Sequence, residues 1–371
     1  MVKVVLAIRS LDIGGAERQF IELVKHIDKS QFDVTVCTMY GGVQEEIVKR
    51  IPHITYYNLQ KRGRYDVLSF FTNYAKLLRE IQPDVIYSFL SEMNLFSLWC
   101  KPKETKMIWG FRASNMDLKR YGKLPQLLFW LQKHLSSRVD KIIANSSASI
   151  AFHQSQGFDM SHATVIYNGI DTERFQRDMS ARAKFRSMYG LKESDVAIGI
   201  VARIDYMKGY TIFAEVMREI LKRYDHIKVF AVGDGDQTIK RACEEILDVY
   251  HNKRFQWLGQ RDDVEVIYSG LDIVVSSSIF GEGFSNSIAE AMSCEVPCVV
   301  TDVGEGRMIV GDTGEVVPPK DSKALLIGIE NLMNKDLLKL GKEARQRIIE
   351  NFSIQQMVRK TEETIGVFKR Q

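Results

Sequence analysis

Apolar runs of strand length alternate with amphipathic segments from one end of the chain to the other. In the first half VKVVLAI, DVTVCTM, DVIYSFL, KMIWGF, KIIAN and TVIYNG read as buried strands; VAIGIVA, IKVFAVG, FQWLG, LDIVVS and VPCVV repeat the scheme in the second. Between them the period changes. Phe20, Leu23, Val24 and Ile27 fall on one helical face after the first strand, and Phe213, Val216, Met217, Ile220 and Leu221 form the same stripe after VAIGIVA. Alternation of this kind predicts an α/β fold of two doubly wound, Rossmann-like domains with parallel sheets.

The two series are joined by DTERFQRDMSARAKFRSMYGL, residues 171 to 191, which is charged and has little apolar periodicity. The domain boundary is therefore placed here, giving domains over 1–170 and 171–352, with a C-terminal helix over about 353–371 expected to pack back on the first. At 371 residues the chain suits two cores better than one. Sheets of this type bind ligands beyond the carboxyl ends of their strands, so functional residues are expected just after strands, in a cleft between two facing domains.

Composition changes this picture little. Lys and Arg number 51 against 47 Asp and Glu, a formal charge of +4; with no motif of interleaved aromatic and basic residues, nucleic acid is not an expected partner. Five cysteines without a CxxC pair suggest a reducing cytoplasm. No stretch reaches the roughly 18 apolar residues of a membrane span, and the opening residues read as a strand rather than a signal peptide. The expectation is a cytoplasmic protein, soluble or attached only at the inner face of the membrane.

Three post-strand segments carry candidate chemistry. Gly14 and Gly15 open a helix directly after the first strand, where backbone N–H groups and the helix dipole favour a phosphate; taken alone, they are equally well explained as turn formers. Arg203 and Lys208, in RIDYMKG, could stabilise a departing diphosphate, although lone surface cations are usually only solvated. The third segment is FGEGFSNSIAE. If Ser285 or Asn286 caps its helix, Glu282 and Glu290 are separated by eight steps, about 12 Å at the helical rise. Glu290 can accept hydrogen bonds from a ribose diol and Glu282 from sugar hydroxyls. An unpaired Glu290 would be costly in its apolar context.

Together GGAER (14–18), VARIDYMKG (201–209) and EGFSNSIAEAMSCEVPCVVTDVGE (282–305) resemble the glycosyltransferases of family 4, with the GT-B architecture. The last contains the family's E-x7-E pattern as Glu282 and Glu290, and ANSSA, YNGID and NFSIQQMVRK extend the likeness over essentially the whole chain. The resemblance implies that Arg203 and Lys208 hold the donor diphosphate, Glu290 the ribose, and Glu282 with Gly283, Phe284, Ser285 and Asn286 the transferred sugar. The loop at Gly14 and Gly15 would cover the phosphates. It further implies transfer with retention of anomeric configuration and no bound metal or other cofactor. Asp234-Gly235-Asp236 matches the D-x-D letters of manganese-dependent enzymes of another architecture, but lies in a VGDG turn; the resemblance places it, with Gly233, near the nucleotide base.

On the acceptor side the chain departs from its relatives. Many carry a histidine shortly after the strand that here reads DVIYSFL, whereas this chain continues Ser91-Glu92-Met93-Asn94. Glu92, Asn94, Arg112, Ser114 and Asn115 are the acceptor-facing candidates, with helix capping as the competing role. Residues 101 to 141 hold ten cations against three acids, around LPQLLFWLQKHL. Such a segment suits an anionic membrane surface, with a helix packed on the core and solvated lysines as the alternative.

The expected function is transfer of a hexose or N-acetylhexosamine from a nucleoside-diphosphate sugar, UDP in the first instance, to a saccharide acceptor. A lipid-linked acceptor in bacterial surface polysaccharide synthesis is favoured over a soluble sugar or sugar phosphate. A catalytically silent sugar-nucleotide binding protein and a sugar-nucleotide epimerase are the alternatives.

Overall fold

The computed structural model describes residues 1–63, 66–112 and 122–369. Contacts divide the chain into two compact units, one made of 1–169 with 354–371 and the other of 170–353.

Among the described residues, seven parallel strands form the first sheet: β1 (Val2–Ile8), β2 (Phe32–Thr38), β3 (Ile54–Asn58), β4 (Val85–Phe89), β5 (Lys106–Phe111), β6 (Lys141–Ala144) and β7 (Ala163–Val165). Their order is β3-β2-β1-β4-β5-β6-β7. β1 and β4 are almost wholly buried, and Ile8 registers with Thr38 on one side and Phe89 on the other. Burial on both faces is what their unbroken apolar sequence anticipates. β3 is the strand the pattern misses. It lies at the sheet edge and alternates half-buried with exposed positions, so ITYYN never shows a continuous apolar run.

The helix Gly15–His26 lays Phe20, Leu23 and Val24 into the core on one side of this sheet, and Ile27 follows them. The C-terminal helix Ile354–Gly366 adds Ile354, Met357, Val358 and Ile365 to the same core. Buried Gln19 takes no part in the apolar contact; its amide donates to the Gly169 carbonyl at 2.9 Å and accepts from the Gly169 N–H at 2.7 Å.

In the second unit the described strands are β8 (Val196–Val201), β9 (Ile227–Val232), β10 (Phe255–Gly259), β11 (Ile273–Ser276), β12 (Cys298–Thr301) and β13 (Glu315–Val317). They run parallel in the order β10-β9-β8-β11-β12-β13. The short edge strand β13 is again one the apolar pattern does not reveal. The stripe from Phe213 to Leu221 is buried against β8, β9 and β11.

The charged stretch 171–191 is not a loose connector. It contains the helix Met179–Met188, which buries Ala181 and Phe185 and belongs to the second unit. Arg182 and Arg186 both grip Asp272, at 2.6 and 3.0 Å, and the Asp272 carboxylate also accepts from the Ala197 N–H. Charges recruited to this shared acid leave little apolar periodicity to read. All five cysteines are buried thiols. No described helix is long and apolar enough to cross a membrane.

Candidate functional site

Each sheet has one place where the chain's direction of winding reverses. In the second unit β8 is followed outward by β9 on one side and β11 on the other, so the loops after β8 and β11 diverge there and leave a crevice. Those loops carry Arg203 to Gly209 and Ser277 to Ser285.

They are tied together by backbone. The Ile279 N–H donates to the Met207 carbonyl at 2.8 Å, and Ser277 donates to the Lys208 carbonyl at 2.8 Å. Gly209 makes this approach possible: its φ is +65°, and a Cβ there would stand 2.1 Å from the Ser277 carbonyl oxygen. Gly233, at the end of β9, has a φ of +136° and similarly admits the Ala202 carbonyl, since a Cβ would lie 1.9 Å from it. Its neighbour Gly235 bridges to Ile204 in the loop after β8.

Within this frame Lys208 forms an ion pair with Glu282, whose carboxylate also accepts from Ser278 at 2.6 Å. Both charged side chains are largely shielded, with 19% and 10% of their surfaces exposed. Arg203 is instead 68% exposed and pairs with Asp205 at 3.1 Å. Asp205 caps the turn before Gly209 by accepting from the Met207 N–H.

The loop around Glu282 continues into the helix Asn286–Ser293. Ser285 occupies the position before the helix, but its hydroxyl lies near that of Ser287 rather than capping a backbone N–H. Asn286 is the first helical residue. Buried Phe284 packs against Phe352, with ring centroids 5.4 Å apart, anchoring the loop at one end. The Gly283 carbonyl accepts from Glu305 N–H at 3.1 Å. Glu290 is buried about one turn into the helix, where the Tyr268 hydroxyl approaches its carboxylate at 3.5 Å.

The D-x-D string has another use. Asp236 caps the helix Gln237–Leu247 by accepting from the Thr238 and Ile239 N–H groups, and these bonds hold its carboxyl below the usual range. Asp234 accepts from the Gly235 N–H and Gln237. Among the described residues no group of three or more His, Cys, Asp or Glu is arranged to hold a metal ion.

In the first unit the reversal falls between β1 and β4. Gly14 stands in extended conformation just before the helix Gly15–His26, and the Glu17 carboxylate folds back against it. Burial raises the Glu17 pKa. Across the reversal, Arg9 and Glu92 approach to 3.8 Å. Leu90, between β4 and the helix Ser91–Cys100, has a φ of +71°, a strained value for a branched side chain.

Arg9, Leu90 and Glu92 border a cavity of about 360 Å³. Asn94 and Arg112 line it too, each with partners of its own. Asn94 accepts from Ser88 at 2.7 Å and lies 3.4 Å from the Gly110 carbonyl, knitting β4 to β5. Arg112 lies over the Phe89 ring at 4.4 Å and donates to Tyr87 at 2.6 Å, while its buried Nε has no partner among the described residues. Ser114 and Asn115 lie outside the described residues.

Of this cavity's lining, sequence reasoning named only Glu92, Asn94 and Arg112; among the residues it missed are Gln132 and His153. His153 stacks on Phe111 with ring centroids 4.3 Å apart. Its Nδ1 donates to the Ser149 carbonyl at 2.7 Å, and burial lowers its pKa to about 4, so the ring is neutral near pH 7. A histidine within a short polar helix has no local signal to distinguish it; only its position on Phe111 does.

Two Rossmann-like parallel-sheet units, one with a shielded lysine–glutamate pair in the loops at its winding reversal, define the GT-B class of glycosyltransferase. Family models agree in both units: "Glycosyltransferase Family 4" matches residues 13–174 and "Glycosyl transferases group 1" matches 195–335. The chain belongs to the family 4 glycosyltransferases.

Its relatives are distant but collinear. It is 22% identical to the UDP-Gal:alpha-D-GlcNAc-diphosphoundecaprenol alpha-1,3-galactosyltransferase of Escherichia coli, over 94% of this chain and 92% of that one. It is 23% identical to the O-antigen chain mannosyltransferase C of Escherichia coli, covering 93% and 92% respectively. Among solved structures, Anabaena Alr3699/HepE in complex with UDP-glucose superposes with a TM-score of 0.83 at 19% identity, covering 99% of this chain and all of that one.

Proposed function

We propose that this glycosyltransferase acts with retention and without a metal, moving a hexose or N-acetylhexosamine from a UDP-sugar to a lipid-linked saccharide in bacterial surface polysaccharide synthesis. The observation that carries the reading is the meeting of Lys208 and Glu282, with Ser278, at the winding reversal of the second unit. Glu290 on the following helix adds a buried carboxylate suited to a ribose diol.

In the proposed reaction the bond between the anomeric carbon and the diphosphate oxygen breaks while the acceptor oxygen bonds the same carbon on the same face. The acceptor's proton passes to the departing phosphate oxygen. Lys208 and Arg203 offset the charge that develops on that phosphate, while Glu282 orients the Lys208 ammonium and accepts from hydroxyls of the sugar. Gly233 lets backbone pass close to the base.

UDP as the nucleotide is supported by the UDP-glucose complex of HepE and by the UDP-Gal donor in the name of the Escherichia coli galactosyltransferase. The lipid-linked acceptor is supported by that relative's diphosphoundecaprenol substrate. A peripheral position on the inner face of the cytoplasmic membrane rests on the helix Lys123–Leu135, which leaves Leu124, Leu127 and Trp130 exposed in a basic segment. Charged flanks and apolar side chains together favour an anionic lipid surface.

The test is release of UDP from UDP-glucose, UDP-galactose and their N-acetyl counterparts, with and without a diphosphoundecaprenol-linked sugar. Faster release with acceptor and an α-linked product are expected. A β-linked product from these α-linked donors removes retention, and a dependence on added manganese removes the metal-free mechanism.

A further inference from the structure

The cavity of the first unit combines two kinds of surface that a plain sugar does not match. Leu128, Phe129 and Phe152 make much of its wall apolar. Yet Gln132, 3% exposed, also lines it, and among the described residues its buried amide nitrogen has no hydrogen-bond partner. Leaving a buried donor unpaired is destabilising, and a ligand carrying a neutral acceptor oxygen would relieve it.

The ligand must also suit the rest of the wall. Hydrocarbon alone would leave Gln132 unpaired, and a group bearing only hydroxyls would set them against Leu128 and Phe129. His153 supplies the complementary polarity: because Nδ1 donates to the Ser149 carbonyl, the neutral ring keeps its acceptor lone pair on Nε2. A secondary amide with a small alkyl end presents an acceptor oxygen, a donor N–H and an apolar methyl together. At about 360 Å³ the space is at the low end of small-molecule pockets, which run from about 300 Å³ upward.

We infer that this cavity is an N-acyl pocket, which receives the acetamido group of the acceptor sugar, with Gln132 donating to its carbonyl. The inference rests on the reading of the chain as a transferase to a saccharide. It makes Gln132 and His153 determinants of acceptor choice, in the unit that does not contain Lys208 and Glu282.

The test is saturation-transfer NMR on the full chain with methyl N-acetyl-α-glucosaminide, methyl α-glucoside and UDP in separate samples. The strongest transfer is expected at the acetyl methyl protons, with the N-acetyl compound binding about tenfold tighter than the glucoside. Gln132→Leu should reduce that preference to about twofold while transfer to uridine protons is unchanged.

Transfer to uridine with none favouring the acetyl methyl in the wild type overturns the pocket and leaves the donor reading intact. Absence of uridine transfer with acetyl transfer present overturns the donor reading instead. The wild-type map decides the matter even if the Gln132 variant does not fold.

Discussion

Lys208 and Glu282 stand 74 residues apart in sequence and form an ion pair at the meeting of two loops. Neither loop alone creates the site. Their encounter follows from β8 and β11 being neighbours in the sheet, and from the Gly209 turn that admits the Ser277 carbonyl.

Removing one member of this pair should harm both stability and turnover. Lys208→Met is expected to lower kcat about 10²- to 10³-fold through loss of charge stabilisation, and to destabilise the second unit by about 3 kcal/mol by stranding the Glu282 carboxylate. The double variant Lys208→Met with Glu282→Gln should recover most of the stability and none of the turnover. Thermal melts and UDP-release rates on the same preparations separate the two effects; a single variant with normal turnover removes Lys208 from the mechanism.

At Gly209 an added methyl group meets backbone, not a mobile side chain. Gly209→Ala is expected to cost about 2–3 kcal/mol, lowering Tm by roughly 4–10 °C, and to weaken UDP binding. Calorimetric titration with UDP checks the second effect. Unaltered affinity would mean that the loop junction does not position the donor residues.

His153 gives the fold a pH dependence with a defined sign. Its pKa falls from the ordinary 6.5 to about 4 in the folded chain, chiefly by burial. Between those values the unfolded chain binds the extra proton, so stability rises with pH through this window and is lost as the medium is acidified from about 6.5 toward 4. The loss amounts to roughly 3 kcal/mol. His153→Phe, which keeps an aromatic ring against Phe111, should flatten this part of the profile in denaturant titrations at pH 4.5 and 7. An unchanged slope would assign the dependence to other groups.

The exposed side chains of Leu127 and Trp130 should matter to lipid and not to folding. Replacing both by Ser is expected to reduce binding to phosphatidylglycerol-containing vesicles at least tenfold, with Tm within about 1–2 °C of the parent. Co-sedimentation checks it. Equal binding by parent and variant would leave this helix face without a membrane role.

Much of the architecture was legible in the chain. Continuous apolar runs disclosed the buried strands, and the stripes at Phe20 and Phe213 disclosed covering helices, because local burial leaves a local period. The glycines and charges after β8 and β11 were legible as candidates for the same reason: residues needed at a strand's carboxyl end must follow that strand in sequence.

What escaped was non-local. Edge strands β3 and β13 have too little two-sided burial to form a continuous run, and nothing in the charged stretch 171–191 announces that Arg182 and Arg186 meet at Asp272. In the helix Lys123–Leu135 the apolar residues Leu124, Leu127 and Trp130 face out while Gln132 is buried. The sequence by itself determined two βα series and the strand ends where chemistry could gather. Strand order and packing decided which ends became neighbours and which side of a helix turned inward, because both depend on partners far along the chain.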